Sequence, residues 1–201
     1  MLEVDMSNSV MHKRGSLEVK KLVYLAILTA LVCVLQVVSN VTAGILPVPI
    51  TLTLVPIVMG AAICDKWSGA WLGAAFAAVT IFSGAAEPFL TLAPFGTVVT
   101  VFAKSILAGI ASGLAYSLIE KKNRYIAIIA AGAVAPIVNT GIFVAGCYLF
   151  FYDYVASLAG GEAMFPFIIT VFVGVNFLIE LALNMLLAPT ILRLVNIRKR
   201  A

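Results

Sequence analysis

Residues 95–119 read FGTVVTVFAKSILAGIASGLAYSLI, an apolar run carrying a single charge, Lys104. Pro94 precedes the run, and Glu120-Lys121-Lys122-Asn123-Arg124 stops it. A helix crosses the hydrocarbon core of a bilayer with about 20 mostly apolar residues, and this run is long enough. Similar runs lie on both sides. Upstream, spans are predicted at about Leu22–Thr42, Ile50–Cys64 (short, with Pro56 inside it) and Trp67–Ser83. Downstream, they are predicted at about Tyr125–Tyr152 and Met164–Val195. Gly44, Pro47 and Pro49 make the first turn, and Asp65-Lys66 the second. A loop with Glu87, Pro88 and Pro94 makes the third, and a loop over Asp153–Ala163 the last. The reading is an all-α integral membrane bundle of six transmembrane helices. Residues 1–19 form a polar cytoplasmic tail, disordered or interfacial, and residues 20–201 form the membrane domain. The run from Leu22 is too long for a signal peptide and is followed by further spans.

Composition agrees. The chain of 201 residues is 63% hydrophobic and 11% charged, with mean hydropathy +1.12. A soluble domain is about half apolar and about a quarter charged, and a chain of this size cannot bury so much apolar surface by itself. A bilayer solves the problem by acting as the solvent for helix exteriors. Lys13, Arg14, Lys20, Lys21, Lys66, Lys121, Lys122, Arg124, Arg193, Arg198, Lys199 and Arg200 all fall on one side of a six-span bundle. The opposite side carries Glu87, Asp153 and Glu162. This asymmetry predicts cytoplasmic N and C termini in a multi-pass cell-membrane protein. It also accounts for the net charge of +4 without a nucleic-acid partner. Cys33, Cys64 and Cys147 are far apart in apolar runs, and the single histidine, His12, is in the tail. They read as packing residues, with no disulfide framework, metal site or cofactor.

The polar groups inside the spans are the candidates for function. Lys104 sits near the bilayer centre, where a lysine costs roughly 2.5–3.5 kcal/mol on insertion scales. Two roles are open to it, a structural ion pair and a contact to an anionic or polar ligand. Asn176, Glu180 and Asn184 share one face of the last span at i, i+4, i+8 spacing, and Glu180 is a possible partner for Lys104. Asn139 follows Pro136, which frees a carbonyl one turn earlier. Gln36 and Asn40 form another i, i+4 pair. Each of these either bonds to a neighbouring helix or contacts a ligand. Glu87, in the outer loop, joins the candidate ligand set.

Depth sorts these groups. Gln36, Asn40, Thr51, Thr53, Thr80, Ser83, Thr91, Thr97 and Thr100 fall in the outer half, and Lys104, Asn139 and Asn176 near the middle. The pattern predicts a polar pocket that opens outward and ends near the midplane. Aromatic residues at the outer end form an interfacial belt, with those near Phe89 and Tyr152 placed to stack on a flat ligand. Small residues recur every four positions at Ala26/Ala30, at Gly69/Gly73/Ala77 and at Gly109/Gly113, giving smooth faces for close helix approach. The Ala26/Ala30 face is a candidate docking surface. No P-loop lysine motif, HExxH or GxSxG is present, and the loops are too short and plain for an intramembrane enzyme.

Read together, several segments resemble the substrate-binding S components of energy-coupling factor (ECF) vitamin transporters, over about residues 20–195. They are Ala26-Ile-Leu-Thr-Ala30, similar to that family's AxxxA motif, and Pro49-Ile-Thr-Leu-Thr-Leu-Val-Pro56. Gly69-Ala-Trp-Leu-Gly73, Pro94-Phe-Gly96, Asn176-Phe-Leu-Ile-Glu180 and Ala188-Pro189 complete the set. The resemblance implies a subunit in the bacterial plasma membrane that binds a vitamin or related micronutrient from outside. It implies docking through Ala26 and Ala30 on a membrane-embedded T subunit, with two ATP-binding subunits supplying energy, and release by toppling in the membrane. Riboflavin-binding relatives carry a helix 6 Asn followed closely by Lys, whereas Glu180 follows Asn176 here. The segments look more like pantothenate-type members. The alternative reading of the residues is an autonomous small secondary transporter or channel that uses Lys104 and Glu180.

Overall fold

The computed structural model describes residues 2–43, 52–161 and 163–200, and the side-chain surroundings of 18–41, 52–161, 163–170, 174 and 177–197. The described residues are helical, with no strand among them: α1 Leu2–Ala43, α2 Leu54–Ile63, α3 Lys66–Phe82, α4 Glu87–Leu90, α5 Pro94–Ile119, α6 Arg124–Phe150, α7 Tyr152–Ala159, α8 Met164–Phe167 and α9 Gly174–Arg200. A π-helical turn, Ile168–Val173, joins α8 to α9. Four helical segments are long and apolar enough to cross a membrane: Glu18–Val41, Pro94–Ile119, Arg124–Phe150 and Phe177–Ile197. The other two expected spans are shorter, 10 residues in α2 and 17 in α3. The expected turn at Gly44, Pro47 and Pro49 lies outside the described residues, as do Thr51 and Glu162.

Several boundaries differ from the sequence reading, each for a local reason. The polar tail is helical and continuous with the first span from Leu2. The second helix starts at Leu54, so Pro56 falls in its first turn, where a missing N–H leaves no bond unmade. The third loop contains the one-turn helix α4, with Pro88 in its first turn. The last loop contains α7, which ends on Gly160 in the left-handed conformation at φ 59°. The fifth span runs unbroken through Pro136. Both turns at the basic end are closed by side-chain caps. Asp65 accepts from the Ser68 N–H at 2.7 Å, and Asn123 accepts from the N–H groups of Tyr125 and Ile126.

α5 is the central element and packs against α2, α3, α4 and α6. Its contact with α3 is a glycine seam. A Cβ on Gly109 would lie 2.2 Å from the Gly69 carbonyl oxygen, and one on Gly73 would lie 2.2 Å from that of Ser105. A Cβ on Gly113 would meet the Lys66 backbone at 2.6 Å. The small-residue faces read from the sequence therefore bring two backbones into direct contact. Three apolar clusters fill the rest. One joins α2, α6 and α9 around Val58, Ile128 and Ile191 at the basic end. A second joins α1, α2 and α3 around Val32, Ile57 and Leu72. The third sits under α7 around Cys147, Phe151 and Val155. Leu178, Leu186 and Leu194 on α9 are exposed, as are Leu22, Val23 and Ile27 on α1. Such surfaces are stable only in lipid.

α1 is fastened to the α2–α3 turn by the Lys21–Asp65 ion pair at 2.5 Å and to α3 by a bond from Trp71 Nε1 to Thr29 Oγ1 at 3.2 Å. Partial burial pushes the Asp65 carboxyl up, but the bonds from Lys21 and Ser68 and the Lys21 charge outweigh it and hold it below its ordinary value. A lowered folded value means that the pair stabilises fully above the unfolded carboxyl's pKa, about 3.9. The contribution fades as pH falls through the lower folded value. Both side chains are 38% exposed, so the effect is small, at most about 1 kcal/mol. Asp65→Asn is expected to lower the unfolding temperature slightly at pH 7, and the difference from wild type should shrink as pH falls through the lowered folded value. A difference independent of pH would assign it to the α3 cap instead.

Candidate functional site

At the end of the bundle away from the basic turns, α3, α5 and α6 splay apart beneath α4. They enclose a cavity of about 100 Å³ lined by Thr80, Ala85, Ala86, Phe89, Thr97, Thr100, Val101, Lys104, Phe143 and Phe151. Lys104 lies deepest along α5. Its ammonium stands 5.7 Å from the ring centre of Phe76 on α3 and 5.6 Å from that of Phe143 on α6. A cation between two ring faces gains electrostatic stabilisation without losing its charge to a neutralising bond. Glu180, buried on α9, interacts with it Coulombically.

The threonines differ in what they have left to offer. Thr80 Oγ1 donates to the Phe76 carbonyl at 2.8 Å, and Thr97 Oγ1 to the Ala93 carbonyl at 2.9 Å. Each is satisfied on its own helix. Thr100 Oγ1 is buried with no hydrogen-bond partner, facing Gly146, whose missing side chain leaves room for it. A buried hydroxyl left unpaired costs about 1–3 kcal/mol. The roof is aromatic: Phe89 meets Phe143, Phe151 and Tyr154 edge-on, at centroid distances of 5.9, 5.0 and 6.2 Å.

The residues proposed from the sequence do not all converge on the cavity. Lys104 lines the cavity, and Glu180, outside the lining, acts on it through its charge. Gln36 and Asn40 do not line the cavity. Gln36 Nε2 donates to Asn40 Oδ1 at 3.0 Å, and Asn40 donates to the Ser83 hydroxyl, which ties the end of α1 to the end of α3. Glu87 is exposed at the start of α4, beside rather than within the lining. Asn139 is buried on α6 one turn before Phe143, with Oδ1 unpaired. Asn176 lies in the backbone of α9, just past the π turn, and its side chain is outside the described residues. Asn184 is buried and donates to the Glu180 carbonyl at 2.8 Å, against Gly132, with Oδ1 unpaired. Ala26 and Ala30 are exposed on α1. Phe76 and Phe143, which flank the lysine, were not singled out. The signal available was their helical spacing, four residues before Thr80 and four after Asn139.

The fold and cavity define an all-helical membrane protein with a small, charged, aromatic-roofed pocket near one end. The family model described as ECF transporter, substrate-specific component, matches residues 20–192, and the chain belongs to that family. No curated protein and no solved structure matches it. Membership makes this a substrate-binding component of a transporter rather than an enzyme. Such components take a small-molecule substrate and work with ECF T and ATPase subunits.

Proposed function

We propose that the chain captures a carboxylate-bearing micronutrient of vitamin type, pantothenate first among them, with the carboxylate on Lys104 and a hydroxyl on Thr100. The observation that carries this reading is Lys104, set between two aromatic rings in a cavity whose lining holds the unpaired hydroxyl of Thr100. The bundle spans the membrane six times with both termini cytoplasmic, so the α4 end faces outward, and the basic turns support that orientation. Ligand pockets usually hold about 300 Å³ or more, so α4 and Phe89 swing outward to admit the whole molecule. Gly84, at φ 78°, gives the α3–α4 turn a backbone that tolerates this.

The exposed Ala26/Ala30 face docks on the T subunit, and two ATP-binding subunits drive release inside. Purified protein is expected to bind pantothenate tightly in calorimetry, while liposomes holding this chain alone accumulate essentially none. Accumulation driven by a proton gradient through Lys104 and Glu180 would instead establish an autonomous carrier. Ala26→Trp and Ala30→Trp are expected to leave ligand affinity within about twofold and to reduce uptake by the assembled transporter by about tenfold or more, because a bulky ring blocks close helix contact. Unchanged assembly and uptake in both variants would remove the docking role.

A further inference from the structure

The last span is wound unevenly, and the positions it buries show why. The π-helical turn Ile168–Val173 is closed by the Gly174 N–H, which donates to the Ile169 carbonyl five positions back. A Cβ on Gly174 would stand 3.2 Å from that oxygen, so glycine spares the wide loop this crowding. On one side of the turn, α9 buries Glu180, Asn184, Ala188, Ile191 and Val195, a stripe at helical spacing against α2 and α6. On the other side, Ile168 is fully buried in the cluster under α7, with Cys147, Phe151 and Val155. Phe177, from the start of α9, packs against that same cluster.

An unbroken α-helix could not bury all of these. Ile168 and Phe177 are nine positions apart, a net rotation of about 180° at 3.6 residues per turn, so they would point to opposite sides. Ile168 and Glu180, twelve apart, would differ by about 120°. A π turn closes i→i+5 rather than i→i+4 and takes up one extra residue, worth about 100°. The two offsets fall to about 80° and about 20°, and all three residues turn inward together. We infer that the π turn is a positioning element of the substrate cavity, keeping Ile168 beneath its roof while the Glu180 stripe stays seated on α6. The cluster around Ile168 carries that roof, since Phe151 lines the cavity and Phe89 packs against the cluster. Without the extra residue one contact has to be given up. The stripe is held at five buried positions and Ile168 at one, so Ile168 is the residue that turns out. The role in substrate capture rests on the reading of the cavity given above. The register is tested without ligand, so the two can fail separately.

Thr170 is the residue to remove. It is exposed, and its hydroxyl bonds to the Pro166 and Phe167 carbonyls about one turn back. In a parent chain carrying Cys33→Ala and Cys64→Ala, the remaining thiol is the buried Cys147, and a small maleimide in mild detergent should label it slowly. Deletion of Thr170 is expected to speed labelling by at least about tenfold, because the cluster over Cys147 opens locally. Thr170→Ala keeps the residue count and should leave labelling slow. Deletion of Thr170 with one alanine inserted after Val173 restores the count and should restore protection. Equal rates in the parent and the shortened chain, or fast labelling that the inserted alanine does not reverse, would overturn the assignment. Where the shortened chain unfolds, full-length Ile168→Cys and Phe177→Cys variants of the same parent decide. A short dithiol-bridging reagent should join each new cysteine to Cys147, and bridging of only one would mean an unbroken helix.

Discussion

Lys104→Met is expected to weaken binding of a carboxylate micronutrient by about 100-fold or more. Losing one member of a buried, hydrogen-bonded charge pair costs about 2–5 kcal/mol, and each 1.4 kcal/mol is about tenfold in affinity. Methionine keeps most of the lysine's volume between Phe76 and Phe143, so the walls of the cavity stay in place. The change also removes the Coulombic partner of Glu180, and some loss of stability accompanies it. Thr100→Val separates the two effects. It removes a hydroxyl that has no protein partner, so the fold should be unharmed or slightly firmer while affinity falls by about tenfold. Asn184→Ala, whose side chain bonds only within α9, should change affinity least. Calorimetric titration of the three purified variants checks the order. Equal losses in all three would mean general damage rather than a binding site at Lys104.

Gly109→Val is expected to have the largest effect on stability. Its first new carbon would lie 2.2 Å from the Gly69 carbonyl oxygen, and a backbone cannot move aside as a flexible side chain can. Overpacking ordinarily costs about 1–3 kcal/mol, and occasionally more. Two backbones forced apart place this case at the upper end, near 3 kcal/mol, or roughly 10 °C of unfolding temperature for a chain of this size. Gly141→Ala is the matched control. Nothing lies within 4 Å of its Cβ position, and alanine is the better helix former by about 1 kcal/mol, so the variant should be as stable as wild type or slightly more so. Thermal unfolding in mild detergent measures both. A Gly109→Val protein that melts with wild type would mean that α3 and α5 do not meet as closely as described.

Much of this architecture was legible in the chain because a bilayer imposes a simple rule on it. Residues 95–119 are too apolar and too long for anything but a deep helix, and Lys104 within them has to be accounted for by its surroundings. The glycine spacing marked faces for close helix approach, and the fold pairs two of them, on α3 and α5. The short helices α4 and α7 were not legible, since one or two turns carry no usable period and their flanking prolines and glycines read as loop. Gln36 and Asn40 were open to two readings, a bond to a neighbouring helix or a contact to a ligand. Their i, i+4 spacing also lets the two side chains bond to each other, and they do. Phe76 and Phe143 went unnoticed because an aromatic residue inside an apolar run looks like any other core residue until the fold sets a cation between two of them.

The direct contact of Gly69 with Gly109 and of Gly73 with Ser105 separates the level of Lys104 from the basic end. Joined in this way, the two helices that bear Phe76 and Lys104 form a single piece, so the distance between ring and ammonium is kept whatever the rest of the bundle does.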